Sequence, residues 1–313
     1  MNFLSKTGVF IEDFLGIPGF DIYWYGVCIA AGFLLAFLLA SYSCRRRGYR
    51  SDLAIDMLIV ILIGAMIGAR GYYVVFEWNR YYVPGDFLAT LKNIVDIRSG
   101  GLAIYGGIIG GVIALMLYCR FSKEKYRFLQ LLDICAAPLA LGQAIGRWGN
   151  FFNQEAHGAL VENPSLQFFP YAVYLDDPKG LDPAGWYQAT FFYESVWCLG
   201  ICIFLTWFFF RQKYHGQLTL LYFALYGFER GIVEWLRTDQ LTVGNIPVSA
   251  VLSIVLCLAA IVILVVLRIK NYTTEMPLIS IGTKKRETET PSHPAEPEPE
   301  NYDASNAPEN EEK

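Results

Sequence analysis

Charged residues are scarce in this chain of 313 residues. They make up 17% of it, against about 25% in ordinary soluble domains, and hydrophobic residues reach 54%. The three histidines are scattered and the seven cysteines include no CxxC pair, so neither a metal site nor a disulfide scaffold is indicated, and we expect no cofactor. The first twenty residues lack the features of a removable signal peptide. This composition argues against a nucleic-acid binder or a soluble enzyme and predicts a membrane protein.

The formal net charge of −4 conceals an uneven distribution. Residues 287–313 contain nine acids and one base, whereas the remaining 286 residues hold 24 bases and 20 acids. The segment from residue 271 onwards is polar and rich in Pro and Glu, with too few apolar residues to form a core. We therefore expect residues 271–313 to be a disordered acidic tail on a mildly basic, apolar body.

Seven segments are apolar and long enough to cross a bilayer, which takes about 20 residues. The predicted spans cover residues 22–43, 53–76, 102–118, 128–145, 191–210, 218–236 and 247–267. Small residues four apart, such as Gly64 with Gly68 and Gly106 with Gly110, would let helices approach closely in lipid. The expected fold is an all-α integral membrane protein with seven transmembrane helices.

Basic residues predict the orientation of these spans. The links after spans one, three and five and the segment after span seven hold fifteen Lys and Arg residues, against seven on the other side. The N-terminus is thus predicted outside and the C-terminus in the cytoplasm. Residues 1–21 form an extracytoplasmic segment, residues 22–270 a seven-span catalytic domain, and the long connection between spans four and five a small extracytoplasmic cap.

Three groups of polar residues lie where charge is costly in a bilayer. Arg70 lies inside span two, and Arg230 and Glu234 lie inside span six at i,i+4 spacing, on one helix face. The segment GRWGNFFNQEAHG at the outer end of span four includes Arg147, Asn150 and Glu155. Several arginines toward the outer side predict an anion site, and the abundant anion of a bilayer is a lipid phosphate. The alternative for Arg230 and Glu234 alone is a self-compensating pair that joins helices.

These motifs together resemble the bacterial phosphatidylglycerol–prolipoprotein diacylglyceryl transferases over about residues 20–270. GRWGNFFNQEAHG is similar to the family pattern GRxGNFxNxExxG, and YGFERGIVEWLRTD to YGxxRxxxExxR. WYG in span one, GxRxxYV around Arg70 and GGxxxxGG around Tyr105 agree with it. There are two departures. Tyr105 stands where many members have His, and only Tyr193-Glu194 remains of the pattern HPxxxYE.

The resemblance implies transfer of a diacylglyceryl group from phosphatidylglycerol to the lipobox cysteine thiol of a prolipoprotein signal peptide, with release of glycerol 1-phosphate. It places the chain in the bacterial plasma membrane among membrane lipids, with no nucleic-acid partner. Arg147 and Arg230 are expected to hold the phosphate, supported by Arg70 and Arg237. Glu155 and Glu234 would orient these arginines, or one of them would act as the base for the thiol. The remaining candidates are Asn150, Tyr25 and Tyr226 at the lipid headgroup, and Tyr105 where the thiol meets the glycerol carbon.

Two other classes of protein stay open at this point. A transporter or flippase for an anionic lipid would line a path with its buried charges, although the chain has no convincing internal repeat. A structural or receptor-like seven-span protein would have no need of several buried arginines.

Overall fold

The computed structural model describes residues 8–97, 100–176, 183–238, 242–243 and 246–274. The chain divides into a compact unit, Met1–Ser280, and a second unit, Ile281–Lys313. The predicted disordered tail lies outside the described residues from position 275 onwards.

Helices account for most of the described residues. They are α1 Trp24–Arg46, α2 Leu53–Phe76, α3 Trp78–Tyr81, α4 Phe87–Val95, α5 Ile104–Phe121, α6 Phe128–Phe152, α7 Thr190–Phe208, α8 Gln217–Val233 and α9 Val248–Ile269. The all-α prediction did not include the three short antiparallel strand pairs among the described residues. They are β1 Val9–Ile11 with β2 Ile22–Tyr23, β3 Ala172–Leu175 with β4 Gly185–Gln188, and β5 Thr242–Val243 with β6 Ile246–Pro247.

Six helical segments within the described residues are long and apolar enough to cross a membrane. They are Trp24–Arg46, Leu53–Phe76, Ile104–Phe121, Phe128–Phe152, Thr190–Arg211 and Val248–Ile269. These helices confirm the prediction of a helical, multi-pass membrane protein. The helix of the predicted sixth span, α8, has 17 residues and contains Glu229 and Arg230, so it is both short and charged.

Two predicted spans differ from the helices at one end each. The first span starts at Trp24, because Ile22 and Tyr23 pair with the strand Val9–Ile11. The fourth span was expected to end at residue 145, but α6 continues to Phe152. The apolar residues Trp148, Phe151 and Phe152 continue the helical pattern past Gly146. The polar motif therefore begins on a helix and leaves it at Asn153.

The helices pack mainly as α2 with α5, α1 with α6, α6 with α7, and α8 with α9. Glycines set the distance between α2 and α5, as their spacing predicts. A Cβ on Gly68 would lie 2.7 Å from the Cα of Gly110, and a Cβ on Gly64 would lie 2.7 Å from the carbonyl oxygen of Gly110. The two backbones are therefore in direct contact, which no larger side chain at these positions would permit.

The connection between α6 and α7 is a folded unit built around the β3–β4 hairpin. Ala172, Leu175 and Tyr187 of the hairpin are buried, as is Val161 of the preceding loop. The Val161 amide donates to the carbonyl of Trp186, which ties that loop to β4. A compact unit thus stands where the cap was predicted, while its position outside the membrane stays a prediction.

Candidate active site

Two arginines and two glutamates from α6, α7 and the end of α8 form a buried ion cluster. Arg147 Nη2 lies 2.5 Å from Glu194 Oε2, and Arg230 Nη1 lies 3.0 Å from the same oxygen. Arg230 Nη2 lies 2.5 Å from Glu234 Oε2. The Glu194 side chain is fully buried, and those of Arg147 and Arg230 are 16% and 14% exposed. We call these four residues the arginine cluster.

Local structure explains half of the arginine cluster. Arg230 and Glu234 are one helical turn apart, so their predicted pairing follows from the helix itself. Ser249 at the start of α9 also donates a hydrogen bond to Glu234 Oε1. The contacts of Glu194 with both arginines, in contrast, depend on the packing of α7 between α6 and α8.

The arginine cluster carries equal numbers of positive and negative charges. This balance makes it tolerable in a buried position, since an unpaired buried ion costs several kcal/mol. Arg147 has the fewest partners of the four residues. Within the described residues, Glu194 is the only group that forms a hydrogen bond or ion pair with its side chain. Of the five N–H donors of a guanidinium, most therefore remain available to an anion at Arg147.

The rest of the GRWGNFFNQEAHG motif forms a tight turn at the end of α6. Glu155 Oε1 accepts hydrogen bonds from Asn150 Nδ2 at 3.1 Å and Asn153 Nδ2 at 3.2 Å. Gln154 and Ala156 have positive φ angles of 53° and 58°, which bring the carboxylate back over the helix end. The observed partners of Glu155 include these two amides, so its predicted action on an arginine stays a prediction.

The motif in span four meets the motif in span six directly. Gly158 and Arg237 form an antiparallel backbone bridge. A Cβ on Gly158 would lie 3.0 Å from the carbonyl oxygen of Leu236 and 2.8 Å from the Cβ of Gln188, so only glycine fits this approach. The Arg237 side chain is half-buried at this junction.

The two predicted headgroup tyrosines have different surroundings. The ring of Tyr25 rests on Gly149, between Arg147 and Asn150 in sequence, where a Cβ would approach the ring to 3.0 Å. Tyr226 stacks on Tyr222 with ring centroids 5.4 Å apart, and it lies within electrostatic range of Arg147 and Arg230. The structure therefore groups Tyr226 with the cluster. Tyr25 instead contacts α6 at Gly149, about 200° around the helix from Arg147.

Arg70 has a different environment from Arg147 and Arg230. Its guanidinium donates to the carbonyl oxygens of Ile94, Asn93, Asp96, Gly100 and Gly101 at 2.7–2.9 Å, and to the hydroxyl of Tyr81 at 3.0 Å. These contacts engage all five N–H donors and hold the connection between α2 and α5 in place. To support a phosphate, as predicted, Arg70 would have to give up some of these bonds.

Tyr105 lies at the second position of α5 and is half-buried. Its hydroxyl makes no hydrogen bond within the part of the chain that the structure describes. The hydroxyl is thus available to a substrate, although no contact joins it to the arginine cluster there.

The family model for prolipoprotein diacylglyceryl transferases matches residues 13–266. This chain belongs to that family. A relative from Clostridium botulinum (strain 657 / Type Ba4), named phosphatidylglycerol–prolipoprotein diacylglyceryl transferase, is 43% identical over 234 residues, covering 74% of this chain and 89% of the relative. A relative of the same name from Clostridium kluyveri (strain ATCC 8527) is 42% identical over 240 residues, covering 76% and 89%. The resemblance inferred from the motifs is confirmed.

Glu194 is a residue of the arginine cluster that the sequence analysis did not predict. It was noted only as the end of the reduced pattern HPxxxYE, and no role was assigned to it. A carboxylate inside a predicted apolar span, next to a tyrosine retained from a family pattern, was the available signal. Its two arginine partners could be identified only from the packing of three helices.

An apolar cavity of about 350 Å³ lies between α1, α6 and α7. Its wall includes the immediate neighbours of two cluster residues. Trp148 follows Arg147, Ser195 follows Glu194, and Trp148 Nε1 donates to Ser195 Oγ at 3.1 Å. The cavity is lined by Cys28, Leu141, Ala144, Ile145, Trp148, Phe152, Ser195 and Leu199. It offers room for a hydrocarbon chain next to a site for an anion.

Proposed function

We propose that this chain transfers the diacylglyceryl group from phosphatidylglycerol to the thiol of a lipobox cysteine in a prolipoprotein signal peptide, releasing glycerol 1-phosphate. One observation carries this proposal beyond family membership. Arg147 and Arg230 converge on Glu194 from separate helices, and Arg147 retains donors for a further anion. A lipid phosphodiester is an anion that a planar guanidinium binds in bidentate fashion.

The proposed setting is a bacterial plasma membrane. We infer seven spans, with α8 as the sixth, an outside N-terminus and a cytoplasmic C-terminus. The excess of Lys and Arg on alternate links supports this orientation. At a rise of about 1.5 Å per residue, α8 spans only about 25 Å, so the turn Glu234–Leu236 would complete its crossing. The unit between α6 and α7 would then cover the outer end of the site.

The proposed reaction is a displacement at the glyceryl carbon. The sulfur forms a bond to that carbon while the carbon–oxygen bond to phosphate breaks, and the bonding electron pair stays on the phosphate oxygen. The thiol proton leaves the sulfur, so atoms and charge balance when it reaches a base or the departing phosphate. Negative charge grows on the phosphate as the bond breaks, and Arg147 and Arg230 would stabilise it in surroundings of low dielectric constant.

Activation of the thiol is the second requirement. A free cysteine has a pKa of about 8.5, so only a few per cent is thiolate at neutral pH. Glu155 and Glu234 remain our candidates for a base, and Tyr105 for a hydrogen-bond donor near the reacting carbon. A tyrosine hydroxyl is a hydrogen-bond donor, which suits Tyr105 to this role.

The remaining candidates fit the lipid itself. We place the headgroup near Asn150, Tyr25 and Tyr226, with Arg237 at the junction of the two motifs. One acyl chain would occupy the apolar cavity between α1, α6 and α7, whose wall includes Trp148 and Ser195, the residues that follow Arg147 and Glu194. Burial of each methylene group there would contribute about 0.8 kcal/mol.

The test uses the purified protein with phosphatidylglycerol labelled in the acyl chains and a peptide bearing a lipobox cysteine. Arg147→Ala and Arg230→Ala should each abolish transfer, and Arg147→Lys should restore little of it, because lysine lacks the planar fork. Arg80→Ala is the matched control, since Arg80 is 66% exposed and pairs with Glu77. Near-normal transfer by either alanine variant would refute the assignment. Lipid flux across vesicles without covalent transfer would support the transporter instead.

A further inference from the structure

Glu229 of α8 is a buried carboxyl group to which the proposed reaction gives no role. The residue is 5% exposed, and both carboxyl oxygens are sealed from solvent without a hydrogen-bond partner in the described part of the chain. Such a group is rare, because leaving a buried acceptor unsatisfied costs about 1–3 kcal/mol, and more for an ionised one. Its position therefore requires an explanation.

The side chain lies on the face of α8 that points away from α9. Gly227 and Gly231 face α9, where Cβ atoms would lie 2.6 Å from the Ser253 carbonyl and 2.8 Å from Ile254 Cγ1. Glu229 is about 200° around the helix from Gly227. It is therefore directed toward α6 and α7, the helices that contribute Arg147 and Glu194 to the arginine cluster.

The groups around Glu229 can be named element by element. Those within electrostatic range are Arg147 from α6, Glu194 from α7 and Arg230 from α8. Cys198 of α7 is a further titratable neighbour. Helix α9 contributes no charged residue between positions 248 and 267. The two nearby positive charges are the ones already bound to Glu194 and Glu234.

Within the described residues, this arrangement leaves no unpaired counter-charge for an ionised Glu229. The arginine cluster is neutral as it stands, so a third carboxylate would give it a net negative charge in a buried place. A net negative cluster would repel the phosphodiester that, on the proposed function, has to bind there. A protonated Glu229 leaves the cluster neutral and avoids the much larger cost of burying an unpaired charge.

We propose that Glu229 is a positioning residue that acts through Arg147 and Arg230, and that its carboxyl must carry a proton for the anionic lipid to bind. Ionisation of Glu229 weakens the hold of the two arginines on the phosphate without touching the reacting atoms. The Michaelis constant for phosphatidylglycerol then depends on pH, although the phosphodiester itself stays singly charged from pH 6 to 10.

The experiment measures KM and kcat for phosphatidylglycerol in mixed micelles at a saturating lipobox peptide concentration, from pH 6 to 10. In the wild-type protein, KM should rise at least about tenfold toward high pH, because one added buried charge at close range costs more than 1.4 kcal/mol. In Glu229→Gln, which is nearly isosteric and always neutral, KM should stay level across the range. Glu229→Asp should restore the rise, which a purely structural role would not do.

Two further variants keep the outcome decisive. Glu229→Met provides a second neutral side chain in case the glutamine variant folds poorly, and thermal midpoints in micelles identify folded samples. Glu162→Gln removes an exposed carboxylate and should keep the wild-type pH profile. A wild-type KM that does not change with pH, or one that changes equally in Glu229→Gln, overturns the inference. The inference rests on the proposed function, and absence of any transfer by the wild-type protein would instead count against that function.

Discussion

Replacing Glu194 with glutamine tests whether the shared carboxylate holds the arginine cluster together. Glutamine keeps the shape of the side chain but removes the only charge that contacts both Arg147 and Arg230 in the described residues. The two guanidinium groups, which now approach one oxygen to 2.5 and 3.0 Å, would then repel each other in a buried site. The cluster would change from neutral to a net charge of +1.

The expected loss of stability follows from these distances. Two opposite charges 3 Å apart attract by about 5.5 kcal/mol at an effective dielectric constant of about 20. Part of that attraction offsets the cost of burying the ions, so removing one partner of a buried pair typically lowers stability by about 3–5 kcal/mol. We expect a loss in this range for Glu194→Gln. Transfer activity should fall at least about 100-fold, because both arginines would shift relative to the phosphate.

Unfolding by sodium dodecyl sulfate in mixed micelles, followed by tryptophan fluorescence, measures the change in stability. Glu162→Gln serves as the control for loss of an exposed carboxylate and should change stability by less than about 0.5 kcal/mol. In a double-mutant cycle, Arg147→Met combined with Glu194→Gln should cost less than the sum of the single changes, because the uncompensated charge is then reduced. A loss below about 1 kcal/mol for Glu194→Gln, with normal transfer, would refute the bridging role.

Two further predictions concern Tyr105 and Arg70. Tyr105→Phe should lower transfer about 10-fold or more without changing the thermal midpoint, because its hydroxyl bonds to nothing in the described residues and a hydrogen bond to a charged group contributes about 1.5–3 kcal/mol. Unchanged transfer would show that the hydroxyl has no part in the reaction. Arg70→Lys should lower unfolding stability by about 2 kcal/mol or more, because lysine cannot reproduce its bonds to five carbonyls and Tyr81. Equal stability of Arg70→Lys and an Arg80→Lys control would contradict this reading of Arg70.

The features that the sequence predicted well are those determined by local spacing. Apart from the C-terminal end of α6, apolar runs located the helices to within a few residues, because a bilayer admits little besides regular helix in a lipid-exposed segment. The pairing of Arg230 with Glu234 followed from their separation of one turn. Glycines four apart predicted a close helix contact, since that spacing places them on one helix face, and the structure shows this contact between α2 and α5.

Features that depend on several helices were not predicted. The sequence interpretation placed Arg70 in support of Arg147 and Arg230, but Arg70 is surrounded by backbone carbonyls while Arg147 and Arg230 share a carboxylate. The extension of α6 to Phe152 was missed because the polar motif suggested an early end to the helix. Hydrophobic periodicity does not distinguish these cases, since it does not specify which helices are neighbours.

Glu194 shows why the missing information is tertiary and where it can still be sought in a sequence. Its partner Arg230 is 36 positions away, so no local rule relates the two residues. A charge count does relate them. The sequence interpretation gave Arg147 and Arg230 two partners, Glu155 and Glu234. Without Glu155, the two arginines would carry one uncompensated positive charge, which a bilayer penalises severely. A second buried carboxylate is therefore required, and Glu194 and Glu229 are the other acids in the predicted fifth and sixth spans. The structure assigns Glu194 to this role, and that assignment leaves Glu229 as the carboxyl group without a counter-charge.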